Sequence, residues 1–264
     1  DTRAIACTVR FRPQTGYTRY REHRIFRNRP DLRFRGVIHE SILPSLQEVA
    51  AREHAIVAAS DVAIDHLGYD GDLAAKHRRN RPMLEARLAS DPGHVYSRDH
   101  LGLVRQASGD ERGAEDAWRA AIASVKTRRS PEPGDVLPFL HLASLLVERG
   151  RDARAFLVDA RARFPGDHAL AWLDARERLE SGDAGSALPI FEALAGVDPE
   201  ALCGDTAWDA SIFGANASAA AGLCAFRLGR YAESATHYAR AEALSGGSAE
   251  FRAKRLLAEA RASV

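Results

Sequence analysis

Cysteine is scarce in this chain of 264 residues: Cys7, Cys203 and Cys224 stand far apart and without paired spacing. That excludes a disulfide framework and a cysteine-built structural zinc site, and it fits a reducing, cytoplasmic compartment. Lysine is scarcer still relative to its partner cation, with 3 Lys against 34 Arg, a bias of GC-rich coding and not of chemistry. Long apolar runs are missing. The nearest, Ala219 to Phe226, is interrupted by Gly222 and falls well short of the roughly 18 residues that cross a bilayer. No signal-peptide pattern opens the chain, and Asp1 in place of Met implies that its true beginning lies upstream. Net charge is nearly absent, at +1, which argues against wholesale nucleic-acid binding. What remains is 45% hydrophobic and 28% charged, the composition of a chain that folds.

The charge is unevenly placed. Residues 1–40 hold ten Arg against four acids, and seven of the ten His fall in the first 100 residues. A basic, His-bearing first part and a mildly acidic, Ala-rich second part imply two jobs. Phe11, Tyr17, Tyr20, Phe26 and Phe34 interleave with the arginines as they would on a stacking surface for nucleic acid. No RNA or DNA module pattern accompanies them, so we expect no nucleic-acid partner.

The first part reads as α/β. Ile5–Phe11 is β-prone, Pro13-Gln14-Thr15-Gly16 is a turn, and His23–Arg27, Leu32–Ile38 and Val62–His66 read as short strands. Ser41–Arg52 suits a short helix, with Pro44 harmless in its first turn. From Asp72 the apolar period becomes helical, and Pro82 predicts a kink or a restart before the stop at Ser90-Asp91-Pro92-Gly93.

Beyond residue 93 the chain repeats. Four glycines, Gly109, Gly150, Gly182 and Gly229, anchor matching windows. Seven residues before each stands Gly102, Ala143, Ala175 or Gly222. Five after stands Ala114, Ala155, Ala187 or Ser234. Nine after come Trp118, Asp159, Phe191 and Tyr238, and twelve after come Ala121, Ala162, Leu194 and Ala241. Antiparallel helices approach closely only where both present small side chains, and a large ring then fills the space to the next pair. The pattern resembles the tetratricopeptide repeat, whose period is near 34 residues. The anchors are irregularly spaced because Thr127–Val136 and Glu200–Gly214 lengthen two gaps. Ser248–Ser263 reads as a capping helix with Phe251, Leu256, Leu257 and Ala260 inward. The expected fold is therefore mostly α: a TPR-like α-α superhelical solenoid over 93–264, a connecting helix over 71–92, and a small α/β segment over 1–70.

That α/β segment carries a second resemblance. The strings Arg24-Ile25-Phe26-Arg27-Asn28, Phe34-Arg35-Gly36-Val37-Ile38-His39-Glu40, Ile64-Asp65-His66-Leu67-Gly68-Tyr69 and Lys76-His77-Arg78-Arg79-Asn80 are similar to the end of the catalytic domain in family 2 glycosyltransferases that carry tetratricopeptide repeats behind it. The resemblance implies the tail of a GT-A domain, a nucleotide-sugar donor, an acceptor that the repeats would present, and a divalent metal, Mg2+ or Mn2+. It implies that Arg24, Arg27, Asn28, His66, Tyr69 and Lys76 contact substrate or diphosphate, that His39 binds the metal, and that Glu40 is the general base. The residues by themselves leave other roles open. His39 reads equally as a packed residue, Glu40 as a charge at the following helix start, and the arginines as surface ion pairs. Arg24 and Arg27 need not share a strand face.

The donor half of such an enzyme, with its Asp-x-Asp pair, has no place before Asp1. Asp70-Gly71-Asp72 has the letters but reads as a turn and N-cap. The chain alone is thus expected to be inactive. The alternative is a non-catalytic TPR scaffold that binds a peptide or protein partner on its concave face, with the N-terminal segment as a cap.

Overall fold

The computed structural model of the protein describes residues 3–13, 16–36, 40–66, 73–132 and 134–264, the side chains of 73–76 excepted. Elements follow in the order β1 (Ala4–Arg12), β2 (Arg19–Phe26), α1 (Leu43–Glu53), β3 (Ile56–Asp65), α2 (Leu73–Ser90), α3 (Val95–Ala107), α4 (Glu111–Lys126), α5 (Leu137–Glu148), α6 (Arg154–Arg163), α7 (His168–Glu180), α8 (Ala184–Ala195), β4 (Cys203–Gly204), α9 (Gly214–Arg227), α10 (Tyr231–Leu244) and α11 (Ala249–Ala262). They form two compact units, Asp1–Phe139 with Leu202–Ala207, and Leu140–Ala201 with Trp208–Val264. No helix among the described residues is long and apolar enough to cross a membrane.

In the first unit a mixed sheet runs in the order β3-β1-β2-β4. β1 and β2 are antiparallel; residues 14 and 15 of the expected turn lie outside the described residues. β3 lies parallel to β1 after the crossover through α1, and β4 lies parallel to β2. Ile5 and Ala6 of β1 pack on Ile42, Leu46 and Val49 of the α1 region, with Leu32 closing the core. Pro44 sits in the first turn of α1, where its missing N–H costs nothing.

Three strand expectations need correction. β2 begins four residues before His23. β3 begins six before Val62, since pairing with β1 draws the Ala-rich stretch 58–63 into the ladder despite its weak intrinsic preference. Residues 32–36 form no strand. Arg35 bridges Ser41 in isolation and its guanidinium pairs with Glu48 of α1 at 2.6 Å; residues 37–38 lie outside the described residues. Pro82 neither ends nor restarts α2, which runs through it.

The helical hairpins follow the glycine anchors. Gly109, Gly150, Gly182 and Gly229 all have positive φ, between 61° and 90°, which reverses the chain at a helix end at no side-chain cost. Gly102, Ala143, Ala175 and Gly222 are all buried, and so are Trp118, Phe191 and Tyr238. A Cβ on Gly102 would stand 2.3 Å from Nε1 of Trp118, and one on Gly222 would stand 3.2 Å from the Tyr238 ring. The first and last crossings are therefore each a glycine under an aromatic ring, and the two between carry alanine.

The second window is the exception. Ala155, Asp159 and Ala162 are exposed, and the inward row is Ala153, Leu157 and Ala160. It keeps the spacing of Ala114, Trp118 and Ala121 but starts two residues nearer its glycine, and so spares the Asp159 carboxylate from burial. The last helix also turns a different face inward. Leu256 and Leu257 are half exposed, whereas Ala258 is fully buried, with Phe251 and Arg255 on the same stripe. On the same side of α11, Glu242 of α10 holds Arg252 at 2.7 Å and Arg255 at 3.0 Å.

The cap of α3 makes the first unit sensitive to acid. His94 is the N-cap, and its Nδ1 accepts from the Ser97 N–H at 3.2 Å, which only an imidazole unprotonated at Nδ1 can do. Burial, aided by the Arg87 charge, lowers its pKa below 6.5. The unfolded chain therefore binds a proton that the native chain refuses. Stability is whole above about pH 6.5 and is lost as the pH falls toward the native value. His168 is lowered too, by burial, and adds in the same direction. The midpoint of thermal unfolding should drop between pH 7.5 and about 5, by an amount worth roughly 1 kcal/mol for the His94 cap. His94→Asp, which caps at either pH, should flatten part of that slope; an unchanged slope would refute the assignment.

Candidate functional site

The residues singled out in the α/β segment do not all converge. Arg24 is the extra residue where the β1–β2 register shifts, between the pairs Cys7–Ile25 and Thr8–His23. The bulge lets its guanidinium lie over the Phe11 ring, 4.8 Å from the centroid. His66 stacks on the same ring at 5.7 Å, and Tyr20 meets it edge-on at 5.7 Å. Tyr20 donates to Glu22 at 2.6 Å, and burial with that bond raises its pKa. Arg24 and His66 thus share one place. Arg27 stands elsewhere, its Nε donating to the Ala4 carbonyl at 2.8 Å. Ala4 is seven residues from Phe11 along β1, about 23 Å of strand. Asn28 and Glu40 are exposed. His39, Tyr69 and the Lys76 side chain lie outside the described residues. No group of three metal-type ligands gathers at this sheet among the described residues.

The second unit holds two clefts that sequence reasoning missed. One, of about 480 Å³, is lined by Val197, Phe213, Asn216, Arg240 and Leu244. The other, of about 390 Å³, is lined by Arg161, His168, Pro189, Ile190 and Val197. They meet at Val197, in the turn after α8. Asp198, Pro199, Ala210, Ser211 and Phe213, from the two ends of the lengthened segment, line the first cleft. Asp167 caps α7 by accepting from the Leu170 N–H at 2.8 Å, and its second oxygen accepts from the Trp208 indole at 3.2 Å. His168 packs edge-on against both Trp208 and Phe213, at 4.8 and 5.3 Å. Arg240 donates to the Ala195 carbonyl at 2.7 Å, and Asn216 to the Ser211 carbonyl at 2.9 Å, which fixes both polar groups at the cleft rim. Leu244 is 56% exposed there. The only sequence signal was the length of the insertion itself. The arrangement offers apolar contact beside fixed polar groups, which suits binding.

No family model matches the chain. A TPR repeat-containing protein of Synechococcus elongatus is 33% identical over 159 residues, which cover 58% of this chain and 38% of that protein. The chain therefore spans well under half the length of the curated relative it matches. Among solved structures, MamA AMB-1 superposes with a TM-score of 0.51 at 17% identity, over 67% of this chain and 94% of that one. Another MamA structure gives 0.50 at 16% identity, over 67% and 97%. With glycine-anchored hairpins, small residues at the crossings and a large ring above them, the helical part of this chain has the fold of tetratricopeptide repeats.

Proposed function

We propose that the chain is a TPR scaffold that holds a peptide or protein segment, with the paired clefts around Val197 as the place of contact. The observation that carries this reading is that fixed polar groups, Arg240 and Asn216, rim an apolar hollow beside an exposed Leu244 on a repeat fold. An extended segment would lay apolar side chains on Phe213, Val197 and Leu244 while its backbone meets Asn216. The test is selection of peptides from a displayed library on the intact chain, followed by anisotropy titration of the winners. Leu244→Asp and Asn216→Ala should each weaken binding about tenfold, near 1.4 kcal/mol, at unchanged melting temperature. Selected peptides that bind both variants as well as the parent would overturn the reading.

A second reading rests on the meeting of Arg24 and His66 at Phe11. In it residues 1–70 end the catalytic domain of a nucleotide-sugar-dependent transferase. Arg24 and His66 neutralise the leaving diphosphate, and Glu40 takes the acceptor proton. The metal that such a domain uses has no donor set at this sheet among the described residues, so no step is drawn through it. Uridine diphosphate titrated into the full-length gene product should bind, and Arg24→Ala should weaken it. Equal binding by that variant would remove the site.

A further inference from the structure

Three donor side chains come together at the seam between α8 and α10. Glu192 lies on α8, and Glu233 and His237 lie one helical turn apart on α10, so that both project to one side. One donor atom of each falls within 4.8 Å of the others. Nε2 of His237 is 3.2 Å from Glu192 Oε1 and 3.9 Å from Glu233 Oε1. The imidazole is 17% exposed, against 43% for Glu192 and 37% for Glu233, so the site is open to solvent on its carboxylate side. The second oxygen of Glu233 faces Arg230 at 3.8 Å, which leaves Oε1 turned to the histidine. One turn further on, the bond from Arg240 to the Ala195 carbonyl ties the same two helices.

We propose that Glu192, Glu233 and His237 bind a divalent transition-metal ion, zinc by preference, that clamps α8 to α10. Zinc bonds of about 2.0–2.2 Å in tetrahedral array put neighbouring donors about 3.3 Å apart. The His237–Glu192 pair already has that spacing, and Glu233, 3.9 Å from the imidazole and with a donor within 4.8 Å of that of Glu192, closes the set by rotating its carboxylate inward. Imidazole with two carboxylates selects zinc and its neighbours in the first row. Magnesium, which wants an octahedron of oxygens, is rejected. Three protein donors leave one position for water. The cluster was invisible in sequence because Glu192 is 41 residues from Glu233.

The test uses the intact chain, stripped with chelator, loaded with zinc chloride and dialysed. One zinc per chain should be retained, measured by elemental mass spectrometry, and melting should rise with zinc and not with magnesium. Cobalt loading should give visible d–d absorption of four- or five-coordinate intensity. His237→Ala and Glu233→Gln should each lose retention and the melting shift, while His141→Ala on α5 keeps both. Should His237→Ala fail to fold, the exposed Glu233→Gln decides. Absence of retained zinc, retention unchanged in the Glu233 variant, or an equal response to magnesium would overturn the site.

Discussion

Trp118→Ala should lower unfolding free energy by about 3–5 kcal/mol, the range for deleting a buried indole. Its side chain is 0% exposed, and its Nε1–H donates to the Asp99 carbonyl at 3.1 Å. Two terms add: the lost transfer energy of the ring, and a cavity that α3 and α4 cannot close. Closure is prevented because α3 already touches the ring through Gly102, the one residue whose missing Cβ permits the contact. The measurement is the urea midpoint at unchanged slope, with helical circular dichroism retained before the transition. A loss below about 1 kcal/mol, the ordinary scale of a surface change, would show that the ring is not the filler between these helices.

Asp174→Ala should cost about 2–4 kcal/mol. Asp174 is 1% exposed, and one oxygen accepts from Arg178 Nε at 2.7 Å while the other takes the Arg161 guanidinium. Arg161 belongs to α6 and Asp174 to α7, so the carboxylate joins the two helices. Truncation removes the acceptor from both guanidiniums, Arg178 keeping only Asp183 at 3.9 Å, and breaking a buried pair in this way costs about 3–5 kcal/mol. We discount that figure because Arg161 and Arg178 are 33% and 19% exposed and recover some hydration. Asp174→Asn keeps the shape and should lose less. Equal losses in the two variants would place the whole effect in the charge, and an Asn variant as stable as the parent would place it in packing and refute the ion-pair account.

The helical hairpins were legible because a positive φ demands glycine and a close crossing demands a small residue; both constraints act on single letters. Gly109, Gly182 and Gly229 therefore set correct registers for Trp118, Phe191 and Tyr238. The reading failed where the constraint is tertiary. Ala155 has the right size at the right offset, yet the row rotated to Ala153. Leu256 and Leu257 are the more apolar residues of α11, yet it is Ala258 that packs inward, with Arg252 and Arg255 held by Glu242 of α10. β3 was half seen, since Ala58 and Ala59 carry no strand preference of their own. The clefts and the Glu192–His237 contact join segments from separate hairpins, and no local period records such a meeting. Of the residues first assigned to one site, Arg24 and His66 meet only because a bulge, itself invisible in sequence, redirects Arg24.

The pairing of Arg19 and Tyr20 with Cys203 and Gly204 has a temporal consequence. On the ribosome β2 emerges well before β4, and its edge at Arg19 and Tyr20 stays unpaired until about 180 further residues have followed. The small sheet therefore cannot complete itself ahead of the hairpins encoded after it. The β2–β4 hydrogen bonds form only after residue 203 has emerged, and a chain halted before it would carry an open edge at Arg19 and Tyr20, the usual template for misassembly.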